Sequence, residues 1–143
     1  MYSSSVTKVL GGRKTLGRDI RTPFDRIRLS RKGVPKAALL HLAKGMGSSL
    51  GKMAELLPVT ERTLQRHSPE SHLNRVVSET VLHLAEVVAR GAEVFEDKDR
   101  FVAWLALPNS ALGGATPRDL LKSRFGIEMV LDELGRMEHG LVS

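Results

Sequence analysis

The stretch WLALPNSALGGATPRDLL, residues 104–121, constrains the fold of this chain more than any other. A helix is expected to bring in Trp104 and Leu105. Pro108 stops it, because proline cannot donate to the helical ladder and disfavours helical geometry in the residue before it. Asn109, Ser110, Gly113 and Gly114 supply turn chemistry. A new helix opens at Thr116, with its hydroxyl as N-cap, Pro117 at the first helical position and Asp119 at the third. Leu105, Leu107, Leu112, Leu120 and Leu121 are spread through the stretch, which predicts a packed bend rather than a loose one.

Upstream, residues 34–64 read as three helices in tight succession. The first starts near Pro35 and ends at Gly45 and Gly47, with Ala38 and Leu42 on one face. The second opens at Ser48 or Ser49. Its Leu50, Met53, Ala54 and Leu57 fall at i, i+3, i+4 and i+7, an amphipathic stripe that Pro58 terminates. The third opens at Thr60, turns Leu64 inward and leaves Glu61, Arg62, Thr63, Gln65 and Arg66 facing out. Two short helices joined by a tight turn form a helix-turn-helix, whose second helix enters the major groove. Arg and Gln are the side chains that bond guanine and adenine with paired hydrogen bonds. The candidate DNA-binding residues are therefore Lys52, Thr60, Glu61, Arg62, Thr63, Gln65 and Arg66. Pro58 stands where such turns usually place glycine, so the turn must have another geometry. A plain three-helix bundle with a solvated third helix is the competing reading.

Ser68-Pro69-Glu70 reads as a second cap and proline start, opening the longest helix, to about Phe95. Leu73, Val76, Val77, Val81, Leu84, Ala85 and Val88 repeat along it at helical spacing, as core or as a dimer seam. Residues 97–99 cap the next helix, in which Phe101, Trp104 and Leu105 face inward. After the bend, Gly126 is expected to break the chain again. A final helix carries Ile127, Val130, Leu131, Leu134 and Met137, with Gly140 as its C-terminal cap. Residues 1 to about 23 are basic and poor in apolar periodicity, and read as a mobile arm or irregular lead-in. Phe24, Ile27 and Leu29 are expected to pack a short segment onto the helix-turn-helix domain downstream. Arg13, Lys14, Arg18 and Arg21 in the arm either touch DNA phosphates or are solvated.

Charge is split along the chain. Residues 1–68 hold 14 Lys/Arg and 4 Asp/Glu, a net +10, whereas residues 69–143 hold 8 and 12, a net −4. A basic front half is the footprint of a polyanion binder; the acidic back half suggests a different partner. With no cysteine, disulfides and thiolate chemistry are excluded. No apolar run approaches the ~20 residues of a membrane helix, and the N-terminus lacks a secretory signal core, so a soluble, cytoplasmic chain is expected. The histidines His41, His67, His72, His83 and His139 form no HExxH pattern, and Glu79 with His83 reads as a surface pair. There is no GxSxG elbow, Walker loop or dinucleotide fingerprint, and Gly11-Gly12 lacks the strand and helix of a phosphate loop. No catalytic residue, metal site or cofactor is expected.

The bend also carries a resemblance. Trp104-Leu105, Pro108-Asn109, Leu112-Gly113-Gly114, Thr116-Pro117 and Leu120-Leu121 resemble the toxin-binding domain of Xre/MbcA/ParS-type antitoxins. The similarity continues through Gly126, Val130, Leu134, Met137-Glu138 and His139-Gly140. Together with the helix-turn-helix segment it covers roughly residues 35–141. The resemblance implies an antitoxin whose cognate toxin is often of the RES type, an enzyme that consumes NAD.

The expected fold is all-α, with an N-terminal helix-turn-helix DNA-binding domain followed by a small helical toxin-binding domain. Its divisions are a basic arm over 1–30, the helix-turn-helix over 31–68 and the helical domain over 69–143. The resemblance implies toxin binding through Trp104, Asn109, Gly113 and Gly114. Glu138, His139, Gly140, Leu141 and Val142 complete that set as an apolar end that either plugs a toxin pocket or frays. Expected partners are the toxin, operator DNA, a second copy of the chain and a higher toxin–antitoxin complex, with autorepression of the operon. Two rivals remain: a stand-alone regulator with a ligand- or protein-sensing rear half, and a helical adaptor that binds protein only.

Overall fold

The computed structural model describes residues 2–140, and among them every regular element is helical. In chain order these are α1 (Tyr2–Val9), α2 (Gly12–Leu16), α3 (Pro23–Lys32), α4 (Lys36–Gly45), α5 (Leu50–Ala54), α6 (Glu61–Arg66), α7 (Arg75–Phe95), α8 (Lys98–Ala106), α9 (Pro117–Leu120) and α10 (Arg124–Glu138), with one 3-10 turn at Ser110–Leu112. The all-α architecture expected from the sequence is the one observed.

The arrangement is built around α7. Its middle has almost no solvent face, because Leu84, Ala85, Val87, Val88 and Ala89 are all buried. Five helices supply the cover: α1, α3, α4, α8 and α10 all pack against it. The stripe read as core or dimer seam is thus used within the chain, except Val76, which stays 55% exposed. One cluster of buried residues runs from Val6 to Leu134.

The first helix of the helix-turn-helix starts beside Pro35 as expected, but the expected start of α7 is corrected. The long helix does not open at Ser68-Pro69 but at Arg75, with the Asn74 side chain accepting from the Val77 amide at 2.9 Å. The segment before it has another task. Pro35, the residue capping α4, offers no side-chain hydrogen bond, so the first amides of that helix need acceptors from elsewhere. The Ser71 carbonyl takes the Lys36 amide and the Pro69 carbonyl takes the Ala37 amide, both at 2.9 Å. Leu73 then donates to the Val34 carbonyl at 2.8 Å. The buried Ser78 hydroxyl completes the clasp, donating to the Leu73 carbonyl and accepting from the Val34 amide. Gly33 sits in this clasp at φ +90°, where a Cβ would stand 2.2 Å from the Leu73 carbonyl oxygen.

The front of the chain departs furthest from expectation. Residues 2–23 are no irregular arm. Val6, Leu10, Leu16 and Ile20 are buried, and α1 packs on both α4 and α7. The Thr7 hydroxyl accepts from the Ile20 amide at 2.9 Å, holding the end of the α2 loop against α1. A capping box at Thr22 and Asp25 starts α3. Of the three residues expected to anchor α3, Leu29 is buried, but Phe24 and Ile27 are 68% and 45% exposed. Contact with α7 is instead made through Leu29, Ser30 and an Arg26–Glu86 ion pair of 3.1 Å.

Gly126 does not break the chain either. It is the third residue of α10, whose N-cap is Ser123. A Cβ at Gly126 would lie 1.7 Å from the Leu120 carbonyl oxygen, so glycine is what lets α10 start hard against the end of α9. Gly91 does the same for α7 and α8, where the Phe101 ring would stand 2.3 Å from a Cβ.

Candidate functional site

Two surfaces lie on this frame. The first is α6. Thr60 caps it, accepting from the Thr63 amide at 3.1 Å, and Leu64 is fully buried beneath it. Leu56 and Leu57 bury the turn that leads in, Val59 packs beside them, and Pro58 stays exposed. No residue from 55 to 59 has a positive φ. The turn is therefore made without the left-handed residue that a glycine would have supplied, as Pro58 requires. Gly51 of α5 faces the start of α6, where a Cβ would meet only the movable end of the exposed Glu61 side chain, at 2.9 Å.

The outward set of α6 is exposed as expected: Glu61, Arg62, Thr63, Gln65 and Arg66 all face solvent, as do Thr60 and Lys52. They are not equally available. Gln65 donates to Glu61 at 3.2 Å, and the Thr60 hydroxyl donates to that of Thr63 at 2.9 Å. Arg62 and Arg66 form no ion pair among the described residues. Four apart on one helix, they share a face. The exposed helix thus offers two guanidiniums on a capped, anchored rod, the chemistry that recognises phosphate or guanine.

The second surface is the bend over 107–116. Asn109 is its hub. Its side chain accepts from the Ala111 amide at 2.8 Å, its carbonyl accepts from Leu112 and Gly114, and its amide donates to Ala115. Leu112 is buried and anchors the bend on the core. Gly113 and Gly114 have φ of +71° and +84°, with open space around both. These glycines are present for backbone conformation, not for close packing. Leu107, 60% exposed, stands at the entrance. Trp104 is half-buried and packs on Phe95 and Phe101, at ring separations of 5.6 and 6.5 Å. It is a core anchor behind the bend.

Glu138, His139 and Gly140 lie at the exposed end of α10, where Gly140 has φ +69° and donates to the Met137 carbonyl. Glu138 stands against Glu93 of α7; the hydrogen bond between their carboxyls pushes the Glu93 pKa up. Leu141 and Val142 lie outside the described residues. The bend residues share one loop, while the α10 end is tied to α7.

One residue that sequence reasoning missed joins the two surfaces. Arg118, in α9 just after the bend, donates to the Ser48 hydroxyl at 2.7 Å and to the Lys52 carbonyl at 3.4 Å. It thereby grips α5, the scaffold of the helix-turn-helix. No spacing rule links residue 118 to 48, so only the fold reveals the contact. No group of three or more His, Asp or Glu side chains able to hold a metal occurs among the described residues, and no helix among them is long and apolar enough to cross a membrane.

Comparison with known proteins places both surfaces within recognised families. Residues 25–86 match the antitoxin Xre-like helix-turn-helix domain, and residues 90–140 match the antitoxin Xre/MbcA/ParS C-terminal toxin-binding domain. The two matches meet inside α7. A protein named antitoxin Xre from Yersinia enterocolitica is 30% identical over 95 residues, 63% of this chain and 64% of that one. Another antitoxin Xre, from Photorhabdus laumondii, is 33% identical over 67 residues, covering 46% of this chain and 45% of that protein. The chain thus spans less than two thirds of the length of either. A Prs ADP-ribosylating antitoxin from a Sphingobium species is 30% identical over 129 residues, covering 83% and 81% of the two chains.

Proposed function

Since this chain belongs to the Xre/MbcA/ParS antitoxin family, we propose that it neutralises a cognate toxin by direct binding and represses its own operon by binding operator DNA. The observation that carries this reading is the pairing of an exposed Arg62–Arg66 face on α6 with an exposed, hydrogen-bonded Gly113–Gly114 bend, on one shared core. As a dimer, two copies of α6 would read half-sites about one helical turn, ~34 Å, apart. The Sphingobium relative's name refers to ADP-ribosylation. That chemistry spends NAD, which supports an NAD-consuming toxin, RES-type in our reading, as the partner. The setting is the cytoplasm, where NAD and the operon both are.

Within the bend, Leu107 with the Asn109–Gly114 backbone forms the toxin-facing edge. Trp104 supports it from behind. Glu138, His139 and Gly140 would contribute from the end of α10, with Leu141 and Val142 inserted as a plug.

Co-expression with the product of the neighbouring reading frame tests this. Growth and cellular NAD should be protected by the native chain. Protection should fail with Leu107→Asp, a surface change that spares the core. Removal of residues 141–143 isolates the plug. If the neighbouring product neither co-purifies with the chain nor harms cells without it, the antitoxin reading falls.

A second reading rests on a specific feature, a cleft of about 400 Å³ between the 56–58 turn, α7 and the start of α10, lined by Val76, His83, Arg124 and Ile127 among others. Its volume suits a small ligand, which would make the chain a stand-alone regulator. Loss of operator binding on adding a cell metabolite extract, with no toxin partner found, would favour that reading.

A further inference from the structure

The positive charge is not where the DNA-reading helix is. Residues 1–44 contain eleven Lys/Arg and two Asp/Glu, a net +9, whereas residues 45–68, which hold α5 and α6, contain three and two, a net +1. Nine-tenths of the front-half excess therefore sits in the layer α1 to α4. That layer is folded onto the core, so the backbone sites that carry its cations are set by the fold.

Some of them are neutralised locally. Arg18 and Arg28 pair with Asp25, Arg21 with Asp19, and Arg26 with Glu86. Lys14 and Lys32 are exposed and form no ion pair among the described residues. Both line a groove of about 340 Å³ between α2, the end of α3, the start of α4 and residues 69–72. His72 also lines it, held by a hydrogen bond of its Nδ1 to the Gly33 carbonyl at 2.7 Å. Glu70 is the one carboxylate among the lining residues.

The groove begins where α6 ends. Pro69 follows Arg66 by three residues, at most about 11 Å of chain. Lys36 ties the two places together, its Nζ donating to the His67 carbonyl at 2.9 Å. The major groove is about 12 Å wide. A helix seated in it therefore has a bounding phosphate strand within this distance of its end.

We propose that the Lys14–Lys32 groove holds a backbone phosphate of the DNA duplex beside the half-site read by α6. It rests on the reading of α6 as a DNA-binding helix and assigns the affinity to a different place. In this scheme α6 chooses the sequence, and the α2–α3 layer supplies sequence-independent grip through release of counterions. Two lysines lining one groove with one carboxylate leave a net single positive charge, which suits a monoanionic phosphodiester.

The test measures binding of the full chain to a duplex from upstream of its own gene and to an unrelated duplex of equal length, across a salt series. Lys14→Gln with Lys32→Gln should weaken both complexes by the same factor and lower the slope of log K against log salt by about 1, the contribution of the one phosphate the two lysines share. Lys14→Arg with Lys32→Arg should restore the native slope. Lys98→Gln with Arg100→Gln on α8 removes the same charge elsewhere and should leave the slope near native. Circular dichroism establishes that each variant is folded. An unchanged slope in the groove variant, a loss confined to the operator, or an equal loss in the α8 control overturns the groove. A native chain that binds neither duplex overturns the groove together with the reading of α6, an outcome distinct from these three.

Discussion

Two bends in this chain are written in nearly the same local code and end as different devices. Each has a proline stop followed by a threonine cap: Pro58 before Thr60, and Pro108 before Thr116. In each the threonine accepts from the amide three residues on, at 3.1 Å. After the first bend the helix is the exposed object. The turn over 55–59 is sunk in the core through Leu56 and Leu57, and α6 displays its side chains. At the second bend the helix is the hidden object. Pro117 is buried and Arg118 is engaged with α5, while Gly113 and Gly114 stand in open space. A cap and a proline thus specify where a helix starts, but which face of the joint meets a partner depends on what is packed behind it.

The strongest way to break the comparison is to remove the packing behind the second bend. Gly126→Ala drives a methyl into the Leu120 carbonyl, a backbone atom that cannot step aside. A loss of roughly 3 kcal/mol or more is expected in chemical denaturation, on the scale of severe overpacking. A normal midpoint would show that the α9–α10 joint is not rigid.

Arg118→Ala comes next. It removes a charged donor from Ser48 and from the Lys52 carbonyl, and about 1–2 kcal/mol should be lost. Because Arg118 holds α5, operator affinity should fall as well, whereas the bend itself keeps its Asn109 hydrogen bonds. Unchanged DNA binding would mean that the two surfaces are mechanically separate.

The matched caps sharpen the contrast directly. Thr60→Ala and Thr116→Ala should each cost about 1 kcal/mol. Their functional effects should be opposite in kind: the first lowers affinity for DNA, the second for the toxin. If both changes weakened the same partner, the division between displayed helix and displayed loop would be wrong.

The smallest effect is one of pH. His83 lines the cleft between the 56–58 turn, α7 and the start of α10. Burial, then the nearby Arg124 charge, lowers its pKa below the ordinary 6.5. A histidine with a depressed folded pKa binds its proton more readily when unfolded. Its contribution is therefore complete above pH 6.5 and declines as pH falls from there through the lowered value. Melting temperature should drop modestly from pH 7.5 to 5.5, and His83→Gln should flatten that part of the profile.

What could be read before folding was what neighbours in the chain decide. Thr60, Asn74, Asp97 and Thr116 all cap helices with their own side chains, and three of these caps are evident from residue type alone. The exposed set on α6 comes from a period of 3.6 and one inward leucine. The bend over 107–116 is legible because Asn109 and two glycines use bonds and dihedrals spanning only a few residues.

Contacts across the chain stayed invisible. Val6, Leu10, Leu16 and Ile20 look sparse because each short helix buries only one or two of them, and their common core exists only once α4 and α7 are in place. Ser68-Pro69 has the form of a helix start, yet the Pro69 and Ser71 carbonyls are claimed by the amides of α4, a competitor more than thirty residues away. Gly126 reads as a breaker until the Leu120 carbonyl is seen against it. Local hydrogen bonding and sterics settle helix starts and turns with a handful of adjacent residues. Burial, close approach and the site of free charge depend on which distant groups arrive, and the chain in one dimension does not carry that information.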